Sequence, residues 1–535
     1  MAALSVDPVV DPSLVRAEAA RRRSFAVISH PDAGKSTLTE AMALHAHVVS
    51  EAGVTHGKAS RAASLSDWGE LERERGISIS STALRFGYGE AVFNLLDTPG
   101  HADFSEDTYR VLTAVDFAVM LLDAAKGMEA QTRKLFDACQ RLGLPVVTVV
   151  NKWDRPGHEP LELFDAVQEA TGRVPVAVNW PVGHAGDFQG LLTPGESTYL
   201  RGQAVDSGAH RAREERVEGA SDPRLEAGVW QAAVEGATIA AELNGRFDRQ
   251  AFLAGTQSPV LFTAAAGNLG VRPLLEFLLH QAPSPAGRAA VDGAVRAVDA
   301  PFSGYVFKVQ AGMNPAHRDQ VAFVRVNSGV FDRGMDLQHA QSGRPVLSKY
   351  AHHLVGRGRQ AAATSWPGDV VGFVNATGLG VGDTIHAGPP VVFPGMPRFN
   401  PERFRVVRNR DAARHKGFAK GLAQLEREGA IQVLRDAEGS PGGPVLAAVG
   451  DLQFEVATER LRREFGAEVA LDAPLPYDRA RPVPAPGVPE LAGVTGVQLL
   501  YRPDGEAVAL FPDRWKLNRT RELFPHLFPD EPPTG

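Results

Sequence analysis

The sequence predicts a multidomain chain: an α/β domain with a phosphate-binding (P-) loop, a small β-barrel, and an α+β domain of βαββαβ type. Two observations predict it. Residues 24–37 read SFAVISHPDAGKST, a strand, a short polar loop and the start of a helix. The patterning then changes twice: strand–helix alternation to about Leu279, Gly-punctuated strands from Phe302 to Ile385, and mixed strands and helices from Arg398.

Phe25–Ser29 has strand character, and Leu38, Ala41, Met42 and Leu44 recur at helical spacing beyond the loop. A loop so placed binds phosphate through His30, Pro31, Asp32, Ala33, Gly34, Lys35, Ser36 and Thr37. Backbone N–H groups of Ala33 to Ser36 point at a β-phosphate, whose charge the helix dipole favours. Lys35 brings a mobile cation to the β/γ-phosphates and Ser36 a hydroxyl for Mg²⁺. The usual first glycine of the motif is Ser29 here. The bland alternative is a Gly-Lys-Ser in an ordinary turn.

The length, 535 residues, suits roughly three or four domains. An apolar share of 44% and a charged share of 22% are ordinary for a globular protein. The formal charge of −7 means that any nucleic-acid contact comes from a local patch. The single cysteine, Cys139, excludes an internal disulfide and a cysteine-rich metal site. The most apolar run, Val111 to Ala125, carries Asp116 and Asp123, and the first 23 residues lack signal-peptide order. A cytoplasmic protein is expected.

Residues 1–23 are expected to form a lead-in and 24–281 the first domain, with an insertion around 160–255 containing an alanine-rich helix from Leu225 to Leu243. Its strands are expected at Phe25–Ser29, Val92–Asp97, Phe117–Asp123, Val146–Asn151 and Val260–Ala264. A Pro/Ser-rich linker spans 282–300, the barrel 301–392 and the α+β domain 393–535, with a proline-rich end whose apolar pieces VQLLYRP and AVALFP have no evident place.

Asp97-Thr98-Pro99-Gly100-His101 follows an apolar strand. A strand-end aspartate there holds a nucleotide-bound Mg²⁺ through a water, and Gly100 lets its N–H approach a γ-phosphate. A plain β-turn has the same composition. Asn151-Lys152-Trp153-Asp154 also ends a strand. A carboxylate such as Asp154 accepts N1–H and the 2-amino group of guanine, donors adenine lacks, and wrong bases leave it unpaired. The Asn151 amide serves the opposite edge and the Lys152 stem lies along the ring; alone, the tetrad is also a common helix cap. The charged stretch Asp67 to Ile79 ends near Gly76 and Ser78. It suits either a loop ordered by γ-phosphate and Mg²⁺ or a solvated helix.

In this order the motifs resemble the translational GTPases and, more narrowly, the release factor 3 family. The closer match rests on Ser29-His30-Pro31-Asp32-Ala33-Gly34-Lys35, Ser66-Asp67-Trp68, Arg75-Gly76-Ile77-Ser78-Ile79 and Asp103 to Arg110. It extends to His317 to Phe323 and Leu452 to Val456, and covers roughly Arg23 to Arg481. The resemblance implies Ser36 and Ser78 as Mg²⁺ ligands, Asp97 behind a coordinated water, and His101 as the catalytic residue orienting the attacking water. It also implies a guanine-binding loop at Ala264-Ala265-Ala266, in which Ala264 replaces a hydroxyl residue and the Ala265 N–H reaches the base.

Arg403, Arg405, Arg408, Arg410, Arg414, Lys416 and Lys420 face one negative charge, Asp411, between 403 and 420. RNA phosphate contacts explain the cluster, and so does a solvated helix face. The function implied is a ribosome-dependent GTPase of translation termination that uses GTP to expel a class-I release factor, acting with Mg²⁺ and monomeric off the ribosome. Alternatives are an elongation-factor-G-like translocase or ribosomal-protection GTPase, a metabolic P-loop phosphotransferase, and a nucleotide-gated binding module without hydrolysis.

Overall fold

A computed structural model of the chain describes residues 11–46, 82–99, 105–203, 213–311, 320–355, 358–376, 378–396, 399–436 and 443–528. The lead-in forms helix α1, Pro12–Ala20, capped by the Asp11 side chain with proline in the first turn.

The first domain is a seven-stranded sheet flanked by helices. Its elements are β1 (Arg22–Ser29), α2 (Lys35–His45), β2 (Thr82–Tyr88), β3 (Ala91–Asp97), α3 (Ser105–Leu112), β4 (Phe117–Asp123), α4 (Ala130–Arg141), β5 (Val146–Asn151), α5 (Pro160–Thr171) and β6 (Val174–Ala177). An added module holds β7 (Trp180–Val182), β8 (Gly190–Leu192), β9 (Thr198–Gln203), β10 (Arg213–Glu218), α6 (Val229–Asn244) and α7 (Arg249–Leu253), before β11 (Gln257–Phe262) and α8 (Val271–Gln281) return to the sheet. The strand order is β2-β3-β1-β4-β5-β11-β6, with only β2 antiparallel to its neighbour. All residues of β4 and β5 are buried, as expected of parallel strands covered on both faces. Phe25 lies between Phe117, stacked at 5.2 Å, and Phe93, edge-on at 6.0 Å. Truncating it to alanine would cost about 3–5 kcal/mol. Because β1 sits between β3 and β4, the loop after β1 is flanked by the ends of both, the crevice where open α/β sheets bind ligands. α5 and β6 belong to the main sheet layer, so the chain leaves it at Trp180 rather than at 160.

The barrel expectation takes the form of a curled eight-stranded antiparallel sheet. Its strands are β12 (Ser303–Ala311), β13 (Gln320–Ser328), β14 (Leu337–His339), β15 (Pro345–Val346), β16 (Ala351–Val355), β17 (Gly358–Ala361), β18 (Val370–Val374) and β19 (Thr384–His386), in the order β15-β14-β19-β12-β13-β18-β16-β17. One apolar cluster crosses from the first domain to this sheet, joining Val111, Leu112 and Ala114 to Tyr305, Phe307 and Phe323.

The third domain runs β20 (Arg403–Asn409), α9 (His415–Arg427), β21 (Gln432–Leu434), β22 (Val445–Ala448), α10 (Asp451–Phe465) and β23 (Val469–Leu471). This is the expected βαββαβ order, with strands arranged β21-β22-β20-β23. The unplaced tail folds as β24 (Arg479–Val483), β25 (Gln498–Tyr501) and β26 (Ala507–Phe511), a three-stranded antiparallel sheet, followed by α11 (Arg514–Leu523). It has an apolar core of its own, including Leu491, Phe511, Leu517 and Leu527.

Candidate functional site

The loop from His30 to Gly34 turns sharply into α2, with Asp32 at φ +66° and Gly34 at φ +95°. A Cβ on Gly34 would lie 2.5 Å from Asn151 Nδ2, so conformation and space both require glycine. Among the described residues no side chain caps α2, whose N-terminus follows the loop directly. Lys35 Nζ is buried and pairs with Asp97 Oδ1 at 3.0 Å, joining the ends of the β1 and β3 segments. Thr98 locks the β3 end by donating its hydroxyl to Val27 O at 2.9 Å.

The Asn151–Asp154 segment is bonded to that loop. Asn151 Nδ2 donates to Ala33 O at 3.0 Å, and Asn151 Oδ1 accepts from Ala265 N at 3.0 Å and Thr263 Oγ1 at 3.1 Å. Lys152, at φ +65°, donates to Asp32 O and to Asp123 Oδ2, the latter at 2.7 Å. Burial raises the Asp123 pKa, but Lys152 and the Ala125 N–H more than offset this and hold the carboxyl below its ordinary value. Trp153 is fully buried, edge-on to Phe262 at 4.9 Å, so the residue between Lys152 and Asp154 is an anchor. Asp154 alone of the tetrad is exposed, with no hydrogen bond or ion pair among the described residues.

Three of the expected site residues have partners within the protein. The His30 ring is buried, its Nδ1 2.6 Å from Oε2 of Glu129, the residue that precedes α4. Burial lowers its pKa more than Glu129 raises it. The Ala265 N–H is spent on Asn151 rather than left for a base, and Asn151 itself ties three loops together. Ala264 is buried, and the nearby hydroxyl, that of Thr263, supports Asn151. Ser78, Gly100 and His101 lie outside the described residues, as do Asp67 to Ile79 and His317 to Asp319.

The basic stretch divides. Arg403 and Arg405 line a cavity of about 770 Å³ against α10, together with Phe454 and Tyr477. Arg408 pairs with Asp472 at 2.8 Å. Arg410, Arg414, Lys416 and Lys420 are exposed, with no ion pair among the described residues. Asp123 and Glu129 were missed from sequence. Asp123 had a signal, an apolar strand ending in aspartate like that before Asp97; Glu129 had none.

Three family models match in succession: the elongation factor Tu GTP binding domain at residues 20–284, elongation factor G domain 2 at 301–388, and the class II release factor RF3 C-terminal domain at 393–521. Peptide chain release factor 3 of Symbiobacterium thermophilum is 42% identical over 512 residues, 95% of this chain and 97% of that one. The chain belongs to the peptide chain release factor 3 family. The Gloeobacter violaceus member is likewise 42% identical, over 97% of this chain and 98% of its own. A solved crystal structure from Thermus thermophilus shares the fold, with a TM-score of 0.70 at 22% identity over 91% of this chain and 72% of that one. As a member of the release factor 3 family the chain is a nucleotide-binding, ribosome-dependent GTPase of translation termination. No helix among the described residues is long and apolar enough to cross a membrane.

Proposed function

We propose that this GTPase binds GTP with Mg²⁺ at the loop 30–37 and uses it to expel a class-I release factor from the ribosome after peptide release. The observation that carries the reading is the bonding of the Asn151–Asp154 segment to the phosphate loop through Ala33 O and Asp32 O. That contact fixes the distance between a base held by Asp154 and a triphosphate held by α2.

The residues present fit both groups. Lys35 Nζ is buried with, among the described residues, no hydrogen-bond acceptor beyond its ion pair with Asp97, which suits phosphate oxygens. The Ser36 and Ser78 hydroxyls, with the Asp97 carboxylate behind a water, would supply oxygen donors suited to a hard cation. When bound, Mg²⁺ neutralises charge on the phosphates. Lys35 and the α2 N–H groups would hold the phosphates, and the family resemblance assigns Gly100 to the γ-phosphate and His101 to orienting the attacking water. At the other end, Asp154 accepts the guanine donors beside the Lys152 stem, while Asn151 and Ala265 support them through the loops.

Ribosome binding draws on the charges of Arg410, Arg414, Lys416 and Lys420, which have no ion pair among the described residues and suit RNA phosphates. The test is GTP hydrolysis with and without purified ribosomes, with ATP as control, alongside release of a labelled class-I factor from a termination complex. Stimulation by ribosomes, GTP-dependent release and no use of ATP are expected. Hydrolysis with no factor release would overturn the displacement role, and equal use of ATP the guanine assignment.

A further inference from the structure

The added module touches both loops that flank the proposed guanine site. Its β7–β8 connection reaches the Asn151–Asp154 segment: Gly186, at φ +99°, donates its N–H to Trp153 O at 2.9 Å, one residue before Asp154. The Trp153 ring is buried in one apolar cluster with Trp180 and Leu191 of the module. Backbone and side chain of Trp153 are therefore both engaged by it.

The second contact is with the turn 264–269. Ala264 and Leu269 close that turn by exchanging backbone hydrogen bonds of 3.0 and 3.2 Å, and Ala265 within it donates to Asn151. The main sheet fixes one end, where Thr263 N donates to Val150 O at 2.8 Å. At the other end the buried Leu269 side chain packs on Gly202 of β9, so closely that a Cβ on Gly202 would lie 2.1 Å from Leu269 Cδ2. A glycine inside a strand marks this kind of close approach. Gly270 follows at φ +77°, its Cβ position 3.2 Å from Leu191 Cδ1, and Arg272 pairs with Glu214 of β10. Strands β8, β9 and β10 thus each meet the segment 269–272.

We propose that the module is a clamp on the guanine-side loops, with Leu269 as its positioning residue, and that its seat sets how fast nucleotide leaves. Asn151 joins the two loops to each other and to Ala33 O, so a module seated on both holds base pocket and phosphate loop in one arrangement. A partner that draws the module off 264–272 speeds exchange, and one that presses it down slows exchange. The inference rests on the proposed guanine site, so Asp154→Asn is run alongside.

Gly202→Ala tests the contact from the side of the module. Gly202 lies in a strand and outside the left-handed region, so the added methyl meets Leu269 without backbone strain. Gly493, at φ −94° with nothing within 4 Å of its Cβ position, is the control. In the full chain, Gly202→Ala and Leu269→Ala are each expected to speed dissociation of fluorescent N-methylanthraniloyl-GDP about fivefold. The double variant should release it more slowly than either single one, because the new methyl fills part of the space the leucine leaves. Single-turnover hydrolysis on ribosomes at saturating GTP should stay within about twofold, which separates a clamp from general loosening of the domain. Gly493→Ala should behave as the unaltered protein. Unchanged release in Gly202→Ala, accelerations that multiply in the double variant, equal acceleration in Gly493→Ala, or a parallel fall in hydrolysis would each overturn the proposal. GDP affinity unaltered in Asp154→Asn would fail the guanine site and the clamp with it, whereas a loss there with unchanged release in Gly202→Ala fails the clamp alone. Should Leu269→Ala fail to fold, the comparison of Gly202→Ala with Gly493→Ala decides.

Discussion

Lys35 and Asp97 form a buried ion pair, Nζ to Oδ1 at 3.0 Å, between the helix end that cradles phosphate and the strand end assigned to the cation. Neutralising Asp97 takes the ion-pair partner from a buried Lys35 Nζ, at a cost of about 3–5 kcal/mol. Asp97→Asn should destabilise the nucleotide-free first domain by that order in urea unfolding, and the double variant with Lys35→Met by less than the sum of the single losses. Asp97→Asn should also raise the Mg²⁺ concentration needed for half-maximal hydrolysis. Additive losses would show that the two charges do not compensate one another.

Asp154 and Asn151 should separate cleanly. Asp154 is exposed and partnerless among the described residues, so Asp154→Asn should change stability by no more than about 0.5 kcal/mol. Its new amide would donate where guanine also donates, but would suit the 2-oxo group of xanthine. A loss of GTP affinity of about a hundredfold or more, with a gain for XTP, is expected in competition binding. Asn151→Ala instead breaks bonds to Ala33, Thr263 and Ala265, and should cost about 2 kcal/mol and weaken GTP and XTP alike.

The charges assigned to RNA give a salt dependence. Replacing Arg414, Lys416 and Lys420 together by alanine should reduce the slope of log affinity for ribosomes against log salt by about 2–3. Arg408→Ala should change it little, because Asp472 already neutralises that guanidinium. Equal effects from both variants would show that the stretch acts as general surface charge.

Much of this arrangement was legible in the sequence, and the limits have physical causes. β4 and β5 have the boundaries read from sequence because buried parallel strands are unbroken apolar runs, closed here by Asp123 and Asn151. The phosphate loop was equally legible, since its strand, loop and helix are contiguous. The loop-tying bonds of Asn151 were not legible because its partners lie 118 and 114 residues away, a pairing no local pattern encodes. The tail was unplaced for a similar reason: Ala507–Phe511 pairs with both Arg479–Val483 and Gln498–Tyr501, across glycine- and proline-rich connections.

Two buried histidines should weaken the fold in acid. His353 is buried in the second domain, its pKa lowered by burial and then by Arg85, with Asp369 opposing. His386 is lowered chiefly by burial as well. A lowered folded-state pKa means that the unfolded chain binds the proton first, so stability is complete above the ordinary value near 6.5 and falls as pH drops below it. The unfolding midpoint should decline as pH falls below about 6.5. His353→Gln should flatten that decline, whereas an unchanged slope would assign the loss to other groups.

Asp369 should hold the first two domains in register. It is fully buried, accepting from Trp366 N at 3.0 Å within its own domain and from Asn94 Nδ2 at 3.2 Å across the boundary. Arg22 Nε lies 3.1 Å away and Arg85 Nε 3.5 Å, on β1 and β2 of the first domain. Ser24 Oγ adds a hydrogen bond to Gly368 O at 2.7 Å. Asp369→Ala leaves Arg22 with Glu18 as its remaining carboxylate, and should cost about 3 kcal/mol. Because the lost contacts cross the boundary, calorimetry should resolve separate transitions for the two domains where the unaltered protein unfolds them together. A single transition merely shifted to lower temperature would show that the apolar cluster around Tyr305 and Phe307 suffices to couple them.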